Sequence, residues 1–218
     1  MKPRSDTAEK ILDVGENLIQ TRSFNGFSYQ DISDELGIKK ASIHYHFASK
    51  SDLGAAIMKR YRQRLEDAMV MAEETGENSC WDLLEFYFTP YCQYADTPDK
   101  VCLSGSLAGE FPTLPADMQR LVSGFFHDHQ TWLAQVLERG KKRGEFTIYG
   151  NTEQMARVLF DALQGALLVK RASGEIKQLH DVIDVFRLLL MPTDKPGKSR
   201  YPAPKIHTLP PLDTGLRR

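Results

Sequence analysis

Apolar residues along most of this chain recur every three to four positions rather than every second one, the period of a helix with one buried face. Ala8, Ile11, Leu12, Gly15, Leu18 and Ile19 mark a first helix, which Phe24, Gly26 and Phe27 interrupt. Ser28-Tyr29-Gln30-Asp31 reads as a capping box that opens a second, short helix, with Phe27 and Ile32 as its hydrophobic staple. Gly37 suits a tight turn at positive φ, and a third short helix follows over about 39–47. Ser49 with Asp52 caps a long fourth helix, and Ser79 with Asp82 an aromatic-rich fifth that Pro90 should kink or end. A sixth helix is expected over about 100–110, capped by Asp99, and a seventh over 116–142, stopped at Gly144. Two more apolar helices, over about 152–172 and 175–191, close a pattern in which no segment alternates with period two. The expected fold is all-α, with about nine helices.

The periodicity stops after Met191, and six of the 11 prolines fall in residues 192–218. That stretch reads as a disordered tail, or as an expression scar. The expected organisation is a three-helix head over 1–50, a helical body over 51–191 and a basic, Pro-rich tail over 192–218.

Charge sharpens this division. Over the 218 residues, 28 Lys/Arg face 29 Asp/Glu, a net of −1, which by itself argues against a nucleic-acid partner. The balance is uneven: residues 1–64 carry a net of +3, residues 65–191 a net of −8 and residues 192–218 a net of +4. A basic head on an acidic body fits a chain that meets an anionic partner at one end.

The two short helices joined through Leu36-Gly37-Ile38 have the form of a helix-turn-helix. Ile32, Leu36, Ile38, Ile43 and Phe47 would lock them against the first helix. Lys39, Lys40, Ala41, Ser42, His44, Tyr45 and His46 would then face outward: two cations, small residues and hydrogen-bonding rings, a set suited to a major groove flanked by phosphates. His46 could equally be structural. The segment His44-Tyr45-His46 predicts no metal site, because positions i and i+2 point about 200° apart on a helix.

Residues 28–53 closely resemble the DNA-binding signature of the TetR/AcrR family of bacterial transcriptional regulators, most strongly from Gly37 to Leu53, with Tyr45-His46-Phe47, Lys50 and Leu53 at the family's spacing. The resemblance implies that Ser28, Tyr29 and Gln30 open the second helix beside the DNA backbone. It also implies that Lys40, Ala41, Ser42, His44 and Tyr45 touch bases or phosphates, and that Lys50 holds a phosphate. His44 stands where the family usually has tyrosine, so no operator sequence carries over.

A single head contacts few phosphates, so two heads on a two-fold axis, reading a palindromic double-stranded operator, are expected. In the family the last two helices pair in the homodimer. Here Leu159, Ala162, Leu163, Ala166 and Leu167 on the eighth and Val182, Ile183 and Phe186 on the ninth are the expected interface, the other reading being a core within one chain. Tyr87, Tyr91, Ser106, Phe125, His129 and Trp132, with Cys102, match where members place an inducer pocket for a small-molecule effector, the identity of which the sequence does not give; plain core is the alternative. Cys102 is also a redox or electrophile sensor candidate, aided by a helix N-terminus and by Lys170; otherwise it is a small buried hydrophobe. The surroundings of both residues loosely resemble TetR-like repressors that sense electrophiles or oxidants through a cysteine.

The sequence contains no nucleophile elbow, phosphate-binding glycine loop, HExxH or paired catalytic carboxylates, so no catalytic residues and no cofactor are expected. Three cysteines without a CxxC pair suggest neither a disulfide framework nor a zinc site, and fit a reducing cytoplasm. No apolar run reaches the ~20 residues of a membrane span, and the polar N-terminus predicts no secretory signal. The expected function is a ligand-responsive, DNA-binding repressor released from its operator by an inducer. The competing classes are a Cys102-switched repressor and, more remotely, a helical enzyme or interaction module.

Overall fold

The structure, a computed structural model, describes residues 6–74 and 78–192, so the tail expected over 192–218 lies outside them beyond its first residue. Among the described residues all regular structure is helical, in nine α-helices. These are α1 (Asp6–Arg22), α2 (Tyr29–Leu36), α3 (Lys40–His46), α4 (Lys50–Glu74), α5 (Cys80–Ala95), α6 (Leu103–Gly109), α7 (Ala116–Lys142), α8 (Thr152–Ser173) and α9 (Lys177–Leu190), with a 3-10 turn at Phe111–Thr113.

Local chemistry sets the ends. Asp31 accepts hydrogen bonds from the Ser28 backbone N–H (2.8 Å) and hydroxyl (2.9 Å), completing the α2 capping box. Ser79 and Asp82 do the same for α5. Gly37 (φ 64°) and Gly174 (φ 76°) end α2 and α8 in the left-handed conformation that glycine adopts without strain. α5 runs through Pro90 as one helix, and the burial of Leu83, Leu84, Phe86, Tyr87, Phe88, Tyr91 and Tyr94 offsets the ~3 kcal/mol that an interior proline costs. α6 is shorter than expected. Asp99 is not its cap but a left-handed turn residue (φ 59°), and the N-cap is Cys102 itself, with no side-chain capping bond.

The described chain divides into two compact units: residues 6–64 with 99–126, and residues 65–74 and 78–98 with 127–192. The first unit thus holds α1–α3, the first part of α4, and α6 with the start of α7, where the sequence reading drew its line at residue 50. Its core is Ile11, Leu12, Ile19, Ile32, Ile43, Leu53 and Ile57, all fully buried, each contributing about 1.5–3 kcal/mol of transfer free energy. A polar seam joins α1 to α4. Arg60 donates to Glu9 (3.1 Å), Asp13 (2.8 Å) and Glu16 (3.0 Å), and Arg64 donates to the second oxygen of Glu16 (2.5 Å).

The second unit packs α8 against α9 and both against α5. Glu85 of α5 receives Arg187 of α9 through both carboxylate oxygens (2.7 and 2.5 Å). Glu145 accepts from the Cys80 backbone N–H (2.6 Å) at the start of α5, while Phe146 packs edge-on against Trp81.

Candidate functional site

The segment expected to contact DNA begins at the Gly37 turn. Ile32 and Ile43 are fully buried beneath it, Phe47 is buried, and Leu36 and Ile38 are half-buried. The Ser33 hydroxyl ties the turn to the Ile38 carbonyl (2.5 Å). With that face fixed, Lys39, Lys40, Ala41, Ser42, His44 and Tyr45 are all exposed, Tyr45 at 86%. Ser28 and Gln30 are exposed at the start of α2.

Two residues of the predicted DNA-contacting set play other parts. Tyr29 is buried, and its hydroxyl donates to the Phe47 carbonyl (3.0 Å), so it belongs to the core that holds α3. Burial, with a smaller push from Asp52, raises its pKa to about 12. Capping placed Tyr29 at the helix start, but the i+3 relation puts it on the inner face with Ile32. Lys50 donates to the Phe27 carbonyl, and its ammonium lies over the rings of Phe27 (4.3 Å) and Phe24 (4.8 Å). Burial lowers its pKa, while Glu110 and Asp31 push it back up. Lys50 therefore clamps the α1–α2 junction in the chain alone. No local signal announced this, because the rings lie more than 20 residues upstream.

His44 is braced on two sides. Its Nδ1 lies 3.1 Å from the Ala48 carbonyl, and its ring meets that of Tyr29 edge-on at 4.8 Å. His46 is half-buried, edge-on to Tyr45 and near Phe47.

The predicted pocket residues fall in both units. In the second, Tyr87 stacks on Trp132 (5.6 Å, 21°), its hydroxyl lies 3.1 Å from His129 Nδ1 and 3.4 Å from the Tyr91 hydroxyl, and Gln164 donates to Tyr91 (3.3 Å). These side chains form one aromatic cluster with several polar atoms. In the first unit, Phe125 is buried against Tyr61. Ser106, of the expected pocket set, donates its hydroxyl to the Ile19 carbonyl (2.7 Å) and meets Ser23 (3.3 Å), which satisfies the end of α1. Cys102 is buried, with the Tyr61 hydroxyl 3.4 Å and the Ser104 hydroxyl 3.1 Å from its sulfur. Lys170, in the second unit, is buried and donates to the Thr97 carbonyl (2.7 Å).

The residues of the expected dimer face lie mostly inside the chain. Leu159, Leu163, Ala166 and Leu167 on α8 and Ile183 and Phe186 on α9 are buried within the chain itself, and Ala162 and Val182 are half-buried. Both helices are apolar on two sides, and periodicity alone does not say which side faces the chain's own core. The uncovered side carries Val158, Leu168 and Val169 on α8 and Val185, Leu188 and Leu189 on α9, each between 45% and 67% exposed. Gly165 lies between Val158 and Val169 in the i, i+7, i+11 series, and among the described residues outside its own stretch of helix a Cβ placed there would meet no atom within 4 Å.

Among the described residues no helix is long and apolar enough to cross a membrane.

Comparison with known proteins bears on both ends of the chain. A family model for "Bacterial regulatory proteins, tetR family" matches residues 11–57, and one for "Tetracyclin repressor-like, C-terminal domain" matches residues 81–186. The HTH-type transcriptional repressor NemR of Escherichia coli is 27% identical over 186 residues, covering 82% of this chain and 90% of that protein. The crystal structure of a TetR-family transcriptional regulator from Agrobacterium tumefaciens is similar with a TM-score of 0.79 at 32% identity, covering 84% of this chain and 97% of the other. The reduced form of Escherichia coli NemR is similar with a TM-score of 0.74 at 25% identity, covering 87% of this chain and all of that one. The two family matches, together spanning most of the chain from α1 to α9, agree with the exposed recognition segment and the all-helical body: this protein belongs to the TetR family of bacterial transcriptional regulators.

Proposed function

We propose that the chain is a ligand-responsive transcriptional repressor that binds a palindromic operator as a homodimer and is released by a small-molecule inducer. The observation that carries this reading is the outward face of α3. Lys40, Ser42, His44 and Tyr45 are exposed together on a segment whose other side, Ile43 and the C-cap Phe47, is locked in the core. An exposed, rigidly held cation beside hydrogen-bonding groups is what major-groove reading requires. The uncovered stripes of α8 and α9 supply the surface across which a second copy would place its own α3 one turn of DNA away.

The aromatic cluster of Tyr87, Tyr91, His129 and Trp132 supports an effector with an aromatic or apolar body and a group able to hydrogen-bond phenol and imidazole. α4 and α7 each contribute residues to both units, and a coupling of ~1–3 kcal/mol would change operator occupancy 5- to 150-fold.

The surroundings of Cys102 favour a second trigger. The Tyr61 and Ser104 hydroxyls beside its sulfur can both donate to a thiolate, the form that reacts with electrophiles and oxidants.

Binding of the full-length protein to duplex DNA from its own promoter region tests the first reading. Lys40→Ala with Tyr45→Ala should abolish it, and binding that survives both changes would show that α3 is not the contact. Cys102→Ser should remove any release by mild electrophiles while leaving release by a non-covalent inducer intact.

A further inference from the structure

We propose that His44 is a specificity-determining residue of the recognition helix, one that reads the operator as a hydrogen-bond acceptor and so selects an adenine or a cytosine by its exocyclic amine. This rests on the DNA-binding reading above.

The assignment follows from one contact. His44 Nδ1 lies 3.1 Å from the carbonyl oxygen of Ala48. A carbonyl oxygen only accepts, so the hydrogen of this bond sits on Nδ1. A neutral imidazole has a single N–H, and with that hydrogen on Nδ1 the other nitrogen, Nε2, carries a bare lone pair. The ring is held in place: the Tyr29 ring meets it edge-on at 4.8 Å, and Tyr29 is itself buried and bonded to the Phe47 carbonyl. His44 is exposed one helical turn beyond exposed Lys40, at the i, i+4 spacing that shares a face. It therefore presents a preorganised acceptor rather than a group free to swing between roles.

An acceptor is a narrow reader. The major groove offers only two kinds of donor, the N6 amine of adenine and the N4 amine of cytosine. Guanine N7 and O6, thymine O4 and every phosphate oxygen accept. Lys39 and Lys40, beside His44, only donate, and so suit phosphates and guanine. The third helix thus divides the labour: its lysines favour acceptors, and His44 rejects them.

The test selects binding sites for the full-length protein from a randomised duplex pool. Each half-site should contain a position restricted to adenine or cytosine on one strand. Replacing that base with purine or 2-pyrimidinone, which lack only the amine, should weaken wild-type binding about two- to tenfold, as for the loss of one net hydrogen bond. The same replacement should leave His44→Ala binding unchanged, and His44→Ala should enrich the same motif with that position relaxed. The proposal is overturned if amine deletion at every adenine and cytosine costs the wild type nothing. It is also overturned if the relaxed position is a guanine or thymine, or if His44→Ala weakens all sequences equally, which marks a phosphate contact. The amine deletions on wild-type protein decide the matter even where His44→Ala folds poorly. Failure of the wild type to enrich any sequence would instead remove the DNA-binding reading itself.

Discussion

The guanidinium of Arg60 on α4 meets the carboxylate of Glu16 on α1 at 3.0 Å, with the two side chains only 13% and 4% exposed. Arg60 also holds Glu9 and Asp13, and Arg64 holds the other oxygen of Glu16, so one buried carboxylate anchors two cations. Removing the buried member of such a pair leaves desolvated charge behind and costs about 3–5 kcal/mol, whereas an exposed ion pair is worth ~1 kcal/mol or less. Arg60 would keep two carboxylates, so Glu16→Ala should cost about 3 kcal/mol, at the low end of the buried range, and Glu9→Ala ~1 kcal/mol or less. Urea unfolding of both variants checks this; equal midpoints would show that Glu16 is not the anchor.

What the sequence could convey depended on distance along the chain. The boxes Ser28/Asp31 and Ser79/Asp82 and the turn at Gly37 involve partners within a few residues, and all were readable. Glu9, Asp13 and Glu16 stand at i, i+4 and i+7 on α1, a pattern visible in the sequence, but its partner Arg60 lies 44 residues beyond Glu16 and had no local mark. α6 starts later than its sequence suggests, because Asp99 can cap a helix and can equally adopt a left-handed turn, and here the turn prevails. The exposed face of α3 was legible because a single apolar residue, Ile43, stands there among polar and small ones, and it alone is buried. The faces of α8 were not, because Leu159 and Val158 are equally apolar and only packing separates them.

Lys50 allows a clean separation of bracing from DNA contact. Its ammonium is bonded to the Phe27 carbonyl and lies over two aromatic rings. Lys50→Met should destabilise the first unit by about 1–2 kcal/mol through loss of the charge-assisted bond and the cation–π contacts. Lys40→Ala should leave stability nearly unchanged and lower the salt slope of DNA binding by about 0.9 per head for each phosphate released. Thermal unfolding and binding at several salt concentrations check both; a lowered salt slope in Lys50→Met at unchanged stability would reverse the assignment.

Acid should loosen the second unit through Glu73. Arg139 hydrogen-bonds both of its carboxylate oxygens (3.0 and 3.2 Å), and these bonds hold its pKa below the ordinary value. A carboxylate with a depressed folded-state pKa contributes stability that is present above its unfolded value, about 4.3, and is lost as the pH falls through the folded value. The melting temperature should therefore drop on acidification below about pH 5. Glu73→Gln, which carries no titrating group there, should show a shallower decline. Parallel curves for the two proteins would exclude Glu73 as a contributor.

Gly165 offers the sharpest test of the pairing surface. Among the described residues, and apart from its own stretch of helix, a Cβ there would meet no atom within 4 Å, yet the residue sits between exposed Val158 and Val169 on α8. A glycine in mid-helix disfavours the helix by about 1 kcal/mol relative to alanine, and its place here fits the close approach of a second copy proposed above. Gly165→Leu should leave the monomer folded, with unchanged or slightly higher thermal stability, and should weaken dimerisation by forcing two helices apart. Leu188→Glu on α9, at 67% exposure, should do the same by placing charge in the interface. Leu163→Ala behaves differently: its side chain is fully buried within the chain, so it should cost about 2–5 kcal/mol of folding stability. Sedimentation velocity and thermal unfolding separate the three. Dissociation in the first two with intact melting, against lowered melting in the third, identifies the uncovered stripes as the dimer surface. A Gly165→Leu protein that remains dimeric and binds DNA as before would place the interface elsewhere.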